Sequence, residues 1–205
     1  MAIRVPPGRA GRLWLERRLE VARRGLEVLD QKRQTLLREQ QRLSAELAEA
    51  DQAWERQARK AAEWNDRSAA IAGPRRLRLA SLHRGTRADL TVAWRNVAGA
   101  VVPLTATVQV GEPVDFVSLG GGSSVALAAE AHTGALAAAA ADAVARAAYE
   151  AVTAELAATV RRLRAIERRW IPDHKAALHK LELTLEQSEL EDTIRVRWAL
   201  EQRES

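Results

Sequence analysis

The stretch RRGLEVLDQKRQTLLREQ, residues 23–40, decides how this chain folds. Leu26, Leu29 and Leu36 lie three and then seven positions apart, spacings that put side chains on one face of a helix. Arg33 and Gln40 fall on that same face, and Gly25 stands inside the helix. A face built for packing therefore carries a charge and an amide.

Extending the spacing in both directions gives Leu15, Leu19, Ala22, Leu26, Leu29, Arg33, Leu36, Gln40, Leu43, Leu47, Ala50, Trp54, Gln57, Ala61, Trp64, Ser68 and Ile71. The steps alternate between four and three, and 13 of the 17 residues are apolar. A seam of this length predicts a coiled-coil helix over 10–71. No proline interrupts it, and Gly73-Pro74 ends it. At ~1.5 Å per residue such a helix is roughly 90 Å long.

Residues 73–123 read differently. DLTVAWRNV alternates Leu90, Val92 and Trp94 with polar neighbours, and VVPLTATVQV alternates Val102, Leu104, Ala106, Val108 and Val110. Two period-two runs joined near Ala98-Gly99 predict a β-hairpin, with Pro103 on an edge strand. Alone it would be marginal in water, so it should pack on a helix or a partner. Ser123 or Ser124 after the glycine run is a candidate helix cap.

Residues 124–203 return to helical spacing. One stripe runs through Val144, Ala148, Val152, Leu156, Leu163, Ile166 and Trp170, and a second through Ile171, His174, Leu178, Leu181, Leu185 and Ser188. The phase slips beside Pro172, where a kink and a local change of supercoil are expected. The expected fold is all-α dominated: two long antiparallel helices forming a coiled coil, with a small central β-hairpin head.

Composition agrees with this. Cysteine is absent, so disulfides and thiolate metal sites are excluded. Six of the eight aromatic residues are tryptophan. No apolar run reaches the ~18 residues of a membrane span, and the opening residues lack the apolar core of a signal peptide. The net charge of +5 is uneven: residues 1–80 hold 18 bases and 11 acids, whereas 182–192 hold five acids and no base. Arg17, Arg18, Arg23 and Arg24 cluster near Trp14, but Glu16, Glu20 and Glu27 are interleaved, so a solvated or protein-facing helix is expected before a nucleic-acid surface.

Catalytic chemistry is not signalled. The run GGGSS at 120–124 lacks the Gly-Lys-Ser/Thr ending of a phosphate loop. His174 and His179 are five apart and so lie on different helix faces, and no metal-ligand spacing is present. No nucleophile, base and orienting group fall together. No cofactor is expected.

Three stretches, in order, resemble the D subunit of the rotary V-type (archaeal/vacuolar-type) ATPases. PPGRAGRLWLERRLEVARRGLEVLDQKRQTLLRE, residues 6–39, is similar to that family's opening helix through Pro7, Arg9, Leu13, Leu19, Ala22, Gly25, Leu29, Lys32, Arg33 and Leu36. NVAGAVVP, residues 96–103, resembles its central Asn-x-x-Gly-x-x-x-Pro through Asn96, Gly99 and Pro103. Residues 161–192 resemble its closing helix through Arg161, Arg162, Ala165, Glu167, Ile171 and Pro172.

The resemblance implies a non-catalytic rotor shaft on the cytoplasmic side of a membrane. Its partners would be the catalytic A and B subunits together with the F and C/d subunits, with no small-molecule substrate and no nucleic acid. Contacts to A and B would fall on Arg23, Arg24, Gly25, Lys32 and Arg33, and a second interface on the hairpin at Asn96, Gly99 and Pro103. Polar seam residues would then fix register, and Gly25, at a cost of about 1 kcal/mol relative to alanine, would admit a close neighbour. The other reading of Gly25 and Gln40 is that they face solvent in a seam that drifts. The alternative function is a free-standing coiled-coil adaptor or nucleic-acid-associated scaffold.

Overall fold

The structure, a computed structural model, describes residues 4–81, 88–111 and 122–202. Its elements are α1 (Gly8–Ala72), α2 (Pro74–Ser81), β1 (Ala88–Val97), β2 (Ala100–Val110), α3 (Gly122–Ala165), a π turn (Ile166–Trp170) and α4 (Ile171–Glu201). The expected fold class holds: long N- and C-terminal helices pack together, with one antiparallel hairpin between them in sequence. His83, Pro113, Gly120 and Gly121 lie outside the described residues.

Helix α1 ends where sequence chemistry ends it. Gly73 adopts φ +82°, left-handed backbone that glycine enters without a Cβ penalty, and Pro74 opens α2 at a position whose N–H would be unused. Helix α3 starts at Gly122, so Ser123 and Ser124 lie inside its first turn and neither caps it. Ser124 serves through its backbone instead, its carbonyl accepting the Ser68 hydroxyl at 2.5 Å.

The chain divides into two compact units. The first comprises Met1–Gln34 and Ala157–Ser205, the second Thr35–Leu156. In the first unit Leu15 and Leu19 of α1 are buried, as are Thr159 and His174. The ion pairs Arg9–Glu189 (2.9 Å) and Arg12–Glu182 (3.4 Å) join low numbers of α1 to high numbers of α4, so these stretches run antiparallel. Being exposed, the pairs record the order more than they stabilise it. Gly11 is required by packing, since a Cβ there would stand 1.9 Å from the Pro6 carbonyl oxygen.

In the second unit Leu36, Leu43 and Ala61 are buried with Ala128, Ala131, Ala135, Ala148, Val152 and Leu156. Trp54 and Trp64 pack against Ala61, Ala131 and Ala135, the small α3 residues leaving room for the indoles. Two of the four polar seam residues, Gln40 and Ser68, bond across the helix pair. Gln40 donates to the Thr153 hydroxyl at 2.9 Å, and Ser68 to Ser124 as above. Such bonds work only in one register, which is what a polar seam position specifies. Every seam residue of α1 is buried or half-buried except Ile71, which is 74% exposed. Gln40 therefore does not face solvent.

The phase slip at Trp170-Ile171 is resolved by the π turn. Beyond Trp170 the buried positions fall one residue later than the earlier repeat dictates, and a π turn is what one surplus residue makes of a helix. The Ile171 N–H reaches the Ile166 carbonyl, five residues back. Pro172, which has no N–H to give, follows directly, where the ordinary ladder is already interrupted. The His174 ring stacks on Trp170 at 3.6 Å, and its Nδ1–H donates to the Trp170 carbonyl at 2.8 Å. The slip is thus absorbed inside a continuous helical run.

The hairpin turns through Ala98 (φ 49°) and Gly99 (φ 89°), the positive pair of a type I′ turn. The Asn96 carboxamide oxygen accepts the Gly99 N–H at 2.8 Å and braces it. One expectation fails here. Trp94 pairs with Pro103 and Ala93 with Thr105, leaving Leu104 as an unpaired bulge residue. The alternation breaks at that point: Val102 is fully buried, whereas Leu104 is 50% exposed. Alanine at a positive φ is strained, so Ala98→Asn is expected to stabilise the chain by about 1 kcal/mol. Urea denaturation measures it, and an unchanged midpoint would mean the strands, not the turn, set hairpin stability.

Candidate functional site

The side chains singled out from sequence divide by what they touch. Arg23 is exposed and makes no ion pair among the described residues. Arg24 is held by Glu20 one turn earlier, and Arg33 donates to Asp30 at 2.8 Å. Hydrogen bonds from Arg33 and Gln34 hold the Asp30 carboxyl below its ordinary range. Lys32 is half-buried. Gly25 has nothing within 4 Å of where a Cβ would stand, so no part of this chain approaches it closely. Gly99 lies in the hairpin turn, which Asn96 of β1 braces, and Pro103 is buried beside the bulge. Arg161, Arg162 and Glu167 are exposed, Ile171 is half-buried and Pro172 is exposed.

Sequence reasoning singled out only part of a larger set, leaving out Arg164, Arg168 and Arg169. Arg17, Arg18, Arg23, Arg161, Arg162, Arg164, Arg168 and Arg169 all belong to the first unit and are exposed, with no carboxylate partner among the described residues. The signal was present. Arg18, Arg161, Arg162 and Arg168 have no Asp or Glu three or four positions away, the only spacings at which a helix pairs its own charges. The exposed arginines come from both helical runs of the first unit, α1 and the run through α3 and the π turn.

The same unit holds a groove of about 840 Å³ lined by Pro6, Ala10, Leu13, Trp14, Arg17, Arg18, Val21, Ala22, Ile166 and Trp170. The Arg18 guanidinium lies 4.6 Å over the Trp14 ring. In the second unit Arg95 of the hairpin binds Glu39 of α1, and Arg42 donates to the same carboxylate at 2.6 Å. Glu39 is thereby held below the ordinary glutamate range by Arg42 first and Arg95 next, against the opposing effect of burial. This cluster ties the hairpin to α1. Among the described residues no group of acidic or histidine side chains is arranged to hold a metal ion.

The described residues thus form long paired helices, a tethered hairpin and a surface rich in unpaired arginine. The sequence pattern of the ATP synthase D subunit matches residues 13–201, nearly the whole chain. The chain belongs to the family of ATP synthase D subunits. No curated protein matches it.

The D subunit is a non-catalytic stalk component of a rotary ATPase complex, in keeping with a surface organised for contact. No helix among the described residues of this D-subunit chain is long and apolar enough to cross a membrane. Gly25 gives this stalk chain a test of its own. Gly25→Ala is expected to stabilise the isolated chain by about 1 kcal/mol, because the helix gains propensity and the methyl meets nothing. Thermal unfolding followed by circular dichroism reads the effect, and a destabilised variant would contradict the open space.

Proposed function

We propose that this chain is the central rotor shaft of a V-type ATPase or ATP synthase, carrying torque between a catalytic A/B hexamer and a membrane ion-translocating ring. The observation that carries the reading is the uninterrupted α1, Gly8–Ala72, paired with the C-terminal helical run and carrying free arginines in its first unit. A shaft must be stiff and must be gripped from outside. The cross-helix bonds of Gln40 and Ser68 supply a fixed register, and unpaired guanidinium groups supply contacts that an acidic sleeve can make and release.

The A and B subunits would meet the first unit on Arg17, Arg18, Arg23, Arg161, Arg162, Arg164, Arg168 and Arg169. This revises the set expected from sequence, because Arg24 and Arg33 already spend their charge on Glu20 and Asp30. The F and C/d subunits would hold other parts of the chain, the exposed hairpin face with Leu90 and Trp94 being a candidate surface. The complex would lie on the cytoplasmic face of the membrane.

Native mass spectrometry of the chain mixed with A, B and F subunits of the same organism tests this directly. One copy per six A plus B subunits is expected. A chain that ignores those subunits and binds DNA with a steep salt dependence would support the scaffold reading instead. Reversing Arg161, Arg162 and Arg168 together to glutamate is expected to lower coupled ATPase activity at least tenfold with the helical signal unchanged. Full activity would remove these arginines from the contact.

A further inference from the structure

We propose that the outer face of α1 from Ala10 to Val28, with Ile166 and Trp170 beside it, is a docking groove for a third helix, and that this helix is amphipathic and acidic. The first unit of α1 carries two stripes, of which the chain itself covers one. Leu15 and Leu19 belong to the covered seam and are buried. Ala10, Trp14, Arg17, Val21, Gly25 and Val28 form the other, at steps of four, three, four, four and three. That is the spacing of a helix meeting a helix. Two of its apolar members are left in water, Val21 being 69% exposed and Val28 64%, and Trp14 is half-buried.

The groove is lined from two helical runs. Ile166 and Trp170 come from the π turn, and Leu13 and Trp14 from α1. Gly25 continues the stripe one turn past Val21 and leaves open space above the backbone. This gives Gly25 a use that nothing within the chain supplies, since a helix can approach another most closely over a missing side chain. Helix-in-groove recognition depends on such a line of apolar anchors at helical intervals.

Charge selects the occupant. Arg17 and Arg18 line the groove. Neither has a carboxylate partner among the described residues. A second copy of this chain would bring Arg17 and Arg18 against the same arginines. A helix with apolar anchors and glutamates on its flanks satisfies both the apolar lining and the two arginines. The partner is fixed here by its chemistry and does not depend on the stalk reading.

The test uses the full chain and two synthetic helical peptides that share one leucine seam, one flanked by glutamate and the other by lysine. Fluorescence anisotropy should show the glutamate peptide binding at least tenfold more tightly. Val21→Asn should weaken it at least fivefold, whereas Leu136→Asn, at an exposed apolar site of the second unit, should leave it unchanged. Equal binding of the two peptides, or equal effects of the two substitutions, would overturn the proposal. So would sedimentation showing a homodimer that Val21→Asn dissolves. None of these results bears on the copy number of the chain in an ATPase complex, so the groove and the stalk reading can fail separately.

Discussion

Replacing Leu36 by alanine is expected to destabilise the folded chain by about 3 kcal/mol, the largest effect expected of a single seam substitution. Leu36 is fully buried, and it lies one seam step before Gln40, whose amide is bonded across to Thr153. The loss has two parts: the transfer of the missing carbons and the cavity they leave. Neighbours cannot collapse easily onto it, because sliding either helix would break the Gln40–Thr153 bond. Urea denaturation measures the change, with Leu190→Ala as a control on a side chain 64% exposed. The control is expected within about 0.5 kcal/mol of the parent. A Leu36→Ala loss below about 1 kcal/mol would show that the seam repacks and that its register is loosely held.

The second large effect concerns Glu39. Glu39→Ala removes one carboxylate from two arginines at once, Arg42 and Arg95. Arg95 is only 27% exposed, and its Nε already lacks a partner. An unpaired charge left partly out of water is costly, and about 2 kcal/mol is expected after discounting for solvent access. The pH dependence has a definite sign. The folded carboxyl is held below its ordinary range, so its contribution is present above about pH 4.3 and is lost as pH falls through the depressed folded value. Glu39→Gln should therefore lower stability at neutral pH and flatten the acid side of the stability profile. An unchanged profile would mean that Arg42 and Arg95 are served as well by water.

The seam was legible because a three-four repeat over many turns arises from little besides a packed helix. It misjudged only Ile71, which stands 74% exposed at the helix end. The hairpin was legible from period two and the Ala98-Gly99 turn. Its bulge was not, since one extra residue at Leu104 changes which face a side chain takes without changing composition. Along α4 the slip itself could be read, but not the device that absorbs it. For the surface, Glu20 and Asp30 stood at pairing distance from Arg24 and Arg33 and removed them from the free set. The outer groove escaped notice because Arg17 interrupts its apolar stripe, and part of its lining comes from residues nearly 150 positions away.

The π turn has a consequence for how the length of this chain can change. Insertions and deletions are ordinarily tolerated in loops, because in a helix each one rotates everything that follows. Here a single surplus residue is stored within Ile166–Trp170 while the flanking stretches keep their facing. Removing one residue from that turn would return it to ordinary α geometry and leave both seams aligned. A gap of one in the middle of a helix is then a natural difference between this chain and a shorter relative, and an alignment that pushes the gap into the nearest loop would misnumber every contact in between.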